Sequence, residues 1–513
     1  MSCLHHPRLG AHTKPKWLAT AGLPWPWAGL IALALTTQLT LIWSHVPWAD
    51  ELQATALARE SHTLADWYWN FRYEGHPPLW HLLLKIPLAF TDDPTALKIV
   101  QSVVVLCSAA LLHLRSPFSP GVKFLLSLNY FLFFEYGVIA RNYSLTVLFY
   151  FGAIAFRRQS VGWLFIALLP QGGLQSVMLA GICGIIVLRE QGWKWWGVLL
   201  AGCGGVVALA WMWPAADFES LNTLRLNTTW LTRFIRSAYM NGTSILPVDY
   251  DLRLTGWDPS RTALFIVALG LVGPIFLIRS IANRSRLLAL LTALFIVANF
   301  LLAIHVYTIG SRHFSLWIIL MIGMLWTADK TSEQINGPLA LWIFLLALSG
   351  PVAGLRQFMT PVFTTLQVTE ALREAGAGAR IIIPIDVLLG AEVNGMLRIP
   401  TFEMAGGCLQ TFVRWRKPVF MAPSFEDFTS QHDLEDKARN GLAAMKKVAA
   451  RAGGSALLLM TYTAGATLSL SDDPALTFLR FIGKDAIVEE WRYLYRLDVP
   501  PDPNPVPIPA CTR

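Results

Sequence analysis

The feature that most constrains this chain is a series of apolar runs, from residue 25 to residue 354, separated mostly by short basic or aromatic turns and twice by long segments, 47–95 and 214–260. They lie at 25–46, 96–114, 124–139, 143–156, 161–171, 173–188, 195–213, 261–279, 287–307, 313–327 and 337–354. A bilayer core leaves no water to satisfy backbone groups, so runs of this kind must close their hydrogen bonds internally, as helices. A soluble chain carries roughly 25% charged residues; this one carries 14%, with 54% hydrophobic. The sequence therefore predicts an α-helical polytopic membrane protein of about eleven spans.

Basic residues set the orientation. Residues 1–24 hold Arg8, Lys14 and Lys16, and the run after them lacks a small-residue cleavage pattern, so they read as a cytoplasmic tail before a retained first helix. The segment 77–91 is apolar but contains His81 and Lys85 between prolines. If it lies along the membrane or re-enters it, Arg115, Lys123, Arg157, Arg158, Arg189, Lys194, Arg279 to Arg286 and Lys330 all fall on the inner side. The net charge of +8 is thus a positive-inside signature and gives no reason to expect a nucleic-acid partner. The partners it implies are membrane lipids. On the outer face this choice collects the loop 47–80, the turn 135–142, the loop 214–260 and the turn 305–313.

Beyond residue 355 the texture changes. Residues 363–375 read as an amphipathic helix, 380–388 and 455–462 as buried strands, and 431–451 as a surface helix with polar residues at its start. The expectation is a small α/β domain over 355–499, outside the membrane, followed by a proline-rich tail, 500–513, that is extended or disordered. The transmembrane domain would be 25–354. Cys3, Cys107, Cys183, Cys203, Cys408 and Cys511 are scattered, and their spacing suggests neither zinc nor a disulfide framework. The doublet Asp92–Asp93 reads as loop. No glycine-rich nucleotide motif and no compact ligand cluster is present, so no cofactor and no metal is expected.

The outer elements carry the chemistry. In the loop 47–80, Asp50 and Glu51 emerge directly after the first span. Adjacent acids point in different directions, so one can face a cavity and the other a partner. Asp50 could take a proton from a hydroxyl nucleophile or cap the helix that follows it. Glu74-Gly75-His76-Pro77-Pro78 sets a carboxylate and an imidazole beside two rigid residues. Arg141, next to Tyr143, and Arg312, next to His313, sit at outer span ends. A guanidinium fork there suits a phosphate, although snorkelling to headgroups is the bland alternative. Glu135 could pair with Arg141 or orient it.

In order, the segments WADELQATALAR, RYEGHPPLWHLLL, FFEYGVIARNYSL and SRHFSLW resemble the bacterial polytopic glycosyltransferases of the GT-C superfamily, in the neighbourhood of the protein O-mannosyltransferases and the aminoarabinose lipid A transferases. The resemblance covers about residues 25–330. It implies a GT-C-like fold in the bacterial inner membrane with its active site on the periplasmic face. It also implies a polyprenyl-phosphate sugar donor, usually inversion at the anomeric carbon, and a glycan or glycolipid acceptor such as lipopolysaccharide. Relatives that act on proteins carry outer-loop modules absent here, which disfavours a protein acceptor. By position Asp50 would be the general base, with Glu51 and His76 beside it. Arg141, Arg312 and His313 would meet the donor phosphate, supported by Glu74, Glu135 and Tyr143. An O-antigen ligase or polymerase, or a transporter of lipid-linked sugars, are the alternative readings.

Overall fold

The structure is a computed structural model that describes residues 24–215, 229–247, 261–306, 309–328, 337–361, 364–376, 381–384, 387–404, 406–414, 431–461, 473–483 and 492–511. The amino-terminal tail before residue 24, much of the 214–260 loop, Lys330 and the side chains that begin the helix 431–451 lie outside the described residues.

Among the described residues, six helices are long and apolar enough to cross a membrane: Trp25–Ser44, Asp93–Arg115, Leu174–Gln191, Ala263–Ala282, Arg286–His305 and Gly337–Met359. Shorter apolar helices, Tyr143–Ala155, Val161–Gly172 and Trp195–Trp211, fill the bundle between them. The protein is a multi-helical membrane-spanning bundle with a small carboxyl-terminal domain built on a mixed β-sheet. Its main core brings together Phe131, Phe151, Trp163, Trp317 and Trp326, all buried. Leu79–Leu88 is a helix of 10 residues, about 15 Å long at 1.5 Å per residue, half of what a bilayer crossing needs. Its Lys85 turns inward, donating to Ala58 O (3.1 Å) and Ser61 O (2.5 Å) at the end of the neighbouring helix.

Three expectations about the helical bundle are corrected. The apolar run 124–139 is not one helix. Pro120–Ser127 stops, Asn129 Oδ1 accepts the N–H groups of Phe131 (3.0 Å) and Leu132 (3.4 Å), and the chain restarts as a π-helical turn, Phe131–Glu135. An asparagine that satisfies new amides in this way ends one helix and starts another. The 214–260 segment is not loop throughout, since Trp230–Ile245 is a helix. Arg233 near its start donates to Ile304 O (2.5 Å), and Ile245 O at its end accepts from Trp342 Nε1 (3.0 Å). Between them Asn241 bonds Gly270 O (2.7 Å) and Trp317 Nε1 (2.9 Å). A Cβ on Gly270 would lie 1.8 Å from Ala238 O, so glycine lets the two backbones touch. The doublet Asp92–Asp93 starts a helix. Asp92 caps it through the Thr95 N–H (2.8 Å), and buried Asp93 pairs with Arg59 and with Arg398 (2.9 Å).

The carboxyl-terminal sheet has strand order β1-β4-β6-β5, from β1 Ile382–Pro384, β4 Ser455–Thr461, β5 Leu476–Ile482 and β6 Arg492–Asp498. β1 and β4 run parallel; β6 is antiparallel to both β4 and β5. β2 Thr401–Glu403 and β3 Cys408–Gln410 form a separate hairpin. The strand expected over 380–388 is shorter, because a helix begins at Val387 (Val387–Leu397). The reading of the cysteines is also overturned: Cys408 and Cys511 form a disulfide. It fastens the proline-rich tail, which is extended and bonded through Cys511 N to Leu409 O (2.8 Å), onto the hairpin. The partners are 103 residues apart, so no local spacing could reveal them.

This domain docks on the helix that follows the first span, Ala49–Glu60. Gln53 makes reciprocal bonds with Val413, through its Nε2 to the carbonyl (2.8 Å) and its Oε1 from the N–H (2.9 Å). A Cβ on Gly395 would lie 2.5 Å from Leu52 Cβ, so Val387–Leu397 packs directly over the helix carrying Asp50. Residues Leu52 to Ala58 are buried on every side, as expected of a helix enclosed by protein on all faces.

Candidate functional site

The helix Ala49–Glu60 begins with both acids in its first turn, where the helix dipole favours negative charge. Geometry then separates them. Glu51 takes the capping duty that the sequence could also assign to Asp50: its Oε2 accepts the Trp48 N–H (3.1 Å). The same oxygen meets His45 Nε2 (2.9 Å), while Oε1 accepts the Ala140 N–H (2.6 Å). Glu51 is 0% exposed. His45 reaches Gln357 Oε1 (3.1 Å) through its other nitrogen. A fully buried carboxylate with three donors is an anchor. It ties the end of Trp25–Ser44, the start of Ala49–Glu60, the turn before Arg141 and the helix Gly337–Met359 to one point.

Asp50 faces the other way, into a cluster of cations. Its Oδ2 is ion-paired with Arg141 Nη1 and lies 3.9 Å from Arg312 Nη1. Trp48 underlies both forks, its ring centre 5.9 Å from the Arg141 guanidinium carbon and 5.1 Å from that of Arg312. His76 Nε2 is 3.4 Å from Arg141 Nη2. On the far side Tyr143 Oη is 2.7 Å from His313 Nε2. Because Gly310 N–H donates to His313 Nδ1 (3.2 Å), the ring proton resides on Nε2 and is given to Tyr143. The tyrosine hydroxyl is then free to donate elsewhere. Arg312 is fixed from behind, its carbonyl accepting from Tyr136 Oη and from Ser315 Oγ (3.0 Å).

The electrostatics follow from this packing. Burial pushes the Asp50 pKa up, but the Arg141 and Arg312 guanidinium groups outweigh it and hold the carboxyl below the usual range. The group is an anion at neutral pH. Burial, reinforced by Arg141 and opposed by Glu74, pushes His76 down to about 4, so its imidazole is neutral.

Asp50, His76, Arg141, Arg312, His313 and Tyr143, chosen from separate stretches of sequence, therefore meet in one place. Of these, His313 has both ring nitrogens engaged by the protein. Glu51 is sealed beneath the site. Glu74 turns toward His81 (3.6 Å). Glu135 accepts from Tyr130 Oη (3.5 Å) and lies within electrostatic reach of Arg312 and Arg141, while the ion-pair partner of Arg141 is Asp50. Sequence reasoning missed Trp48, Tyr136, His45 and Gln357. Trp48 and Tyr136 were hidden among membrane-interface aromatics; His45 and Gln357 are 312 positions apart and gave no signal.

The arrangement offers the Asp50 carboxylate between two cationic forks, with neutral imidazole and phenol groups at its edges. Among the described residues one set of three side chains has ligand atoms close enough for a metal, Glu403, Cys408 and Cys511, and its two sulfurs are joined to each other. Comparison with known proteins gives no match: no family model, no curated protein and no solved structure matches this chain.

Proposed function

We propose that this protein is a membrane glycosyltransferase that moves a sugar from a polyprenyl-phosphate donor to a glycan or glycolipid acceptor at the outer face of a bacterial inner membrane. The observation that carries the reading is the single Asp50 carboxylate held between Arg141 and Arg312. A phosphate monoanion and Asp50 would compete for the same two forks. When donor phosphate enters, the arginines turn to it and Asp50 loses the charges that suppress its basicity. The acceptor hydroxyl then gives its proton to Asp50 as its oxygen bonds to the anomeric carbon. The bond from that carbon to the phosphate oxygen breaks, and the charge left on polyprenyl phosphate is met by the guanidinium groups. Attack from the side opposite the phosphate inverts the anomeric centre. The disulfide suits a domain in an oxidising compartment and so an outer location for residues 355–499. The eleven-span topology belongs to the same proposal.

The test is mass analysis of envelope glycans and lipids from cells with and without the protein, with the Arg141→Ala and Arg141→Lys variants. The expected result is loss of one sugar substituent without the protein or with alanine, and partial return with lysine, which keeps the charge but not the fork. An unchanged envelope profile in cells lacking the protein would sink the proposal.

A further inference from the structure

The broken helix between Phe131 and Asn142 supplies Tyr136 and Arg141 to the site, and its irregular backbone lies deep in the bundle. A π-helical turn leaves carbonyls out of line with the helical ladder. At membrane depth these need partners from protein or trapped water. Two glutamines from different spans meet this need. Gln38, in Trp25–Ser44, donates its two amide hydrogens to Leu132 O and Phe133 O, both at 2.8 Å. Gln101, in Asp93–Arg115, donates its two to Tyr136 O (2.8 Å) and Gly137 O (2.9 Å). The side chains are 3% and 0% exposed. Gly137 is part of the arrangement: a Cβ there would lie 2.1 Å from Gln38 Nε2.

We infer that Gln38 and Gln101 are positioning residues that clamp the broken helix from both sides and thereby set both arginines of the site. Arg141 follows the clamped turn along the chain. Arg312 follows it through Tyr136, whose hydroxyl holds the Arg312 carbonyl. The inference rests on the reading that the segment 135–143 forms the site, and it concerns the geometry of that segment whatever reaction occurs there. Each brace fastens successive carbonyls, so losing one frees the turn without opening a neighbouring helix.

The test is hydrogen–deuterium exchange on the full chain in detergent, wild type against Gln101→Met and against Gln38→Met, each of which keeps the bulk and removes the donor. Exchange over 131–142 should accelerate about tenfold or more, with β4 in the carboxyl-terminal sheet unchanged. Affinity for decaprenyl phosphate should fall in parallel. Unchanged exchange over 131–142 in a folded variant overturns the inference. So does equal acceleration in every region, or loss of the fold in both variants, because each assigns the glutamines to general stability. The exchange readout involves no sugar, so it fails or succeeds separately from the transferase proposal.

Discussion

Replacing Glu51 with glutamine separates an anchor from a reactive acid. The wild-type carboxylate receives the Ala140 N–H on one oxygen and the Trp48 N–H with His45 on the other. A glutamine amide has one oxygen. Facing that oxygen toward Trp48 and His45 sets its NH2 against the Ala140 N–H, donor to donor, where the present contact is 2.6 Å. The opposite rotamer strands two donors. An unsatisfied buried donor costs about 1–3 kcal/mol, and stranding two of them or a charged group costs more. Glu51→Gln should therefore lose about 2–5 kcal/mol, a large part of the roughly 5–15 kcal/mol that holds a typical protein folded. Glu51→Ala should lose more and should accumulate poorly. The assay is denaturation in detergent with donor-phosphate binding measured alongside. The expected result is a lower midpoint together with weaker binding, because Ala140 displaces Arg141 as it moves. If Glu51→Gln melts like wild type but transfers no sugar, Glu51 is reacting rather than anchoring, and the assignment of roles to the two acids is reversed.

Two other outcomes follow from the packing. His76 is neutral in the folded protein down to about 4, against 6.5 for a free imidazole. Between those values the unfolded chain binds the proton and the folded one does not, so stability falls as pH drops from 6.5 toward 4, by up to about 3 kcal/mol. A His76→Phe variant should lose that part of the slope, and an unaltered pH profile would remove His76 as its source. Gly395→Ala places a methyl 2.5 Å from Leu52 Cβ and should destabilise by about 1–3 kcal/mol; no loss would mean that the carboxyl-terminal domain does not bear on this helix.

The long apolar runs made the bundle legible. The runs 173–188 and 287–307 became Leu174–Gln191 and Arg286–His305, because nothing but a helix satisfies a backbone in such surroundings. The break at Asn129 was not legible, since the apolar pattern continues across it and one side-chain oxygen decides the outcome. Trp230–Ile245 was hidden for a related reason. Arg233, Arg236, Asn241 and Ser244 make it read as loop, and its partner groups on Gly270 and Trp317 are distant in sequence. The site residues were found as types at outer span ends. Which acid would meet the arginines was not decided by the sequence, because neighbours in a helix are about 100° apart and only packing shows which one is enclosed.

The most direct test of the account is transfer from a labelled polyprenyl-phosphate sugar by purified Asp50→Asn protein in vesicles, with binding of polyprenyl phosphate measured on the same sample. As general base, Asp50 should be worth about 10²–10⁴-fold in rate. As the competitor that neutralises Arg141 and Arg312, its removal should leave phosphate binding as tight as wild type or tighter. Slow transfer with undiminished binding is the result the account requires. Transfer at the wild-type rate, or binding lost together with activity, would contradict it.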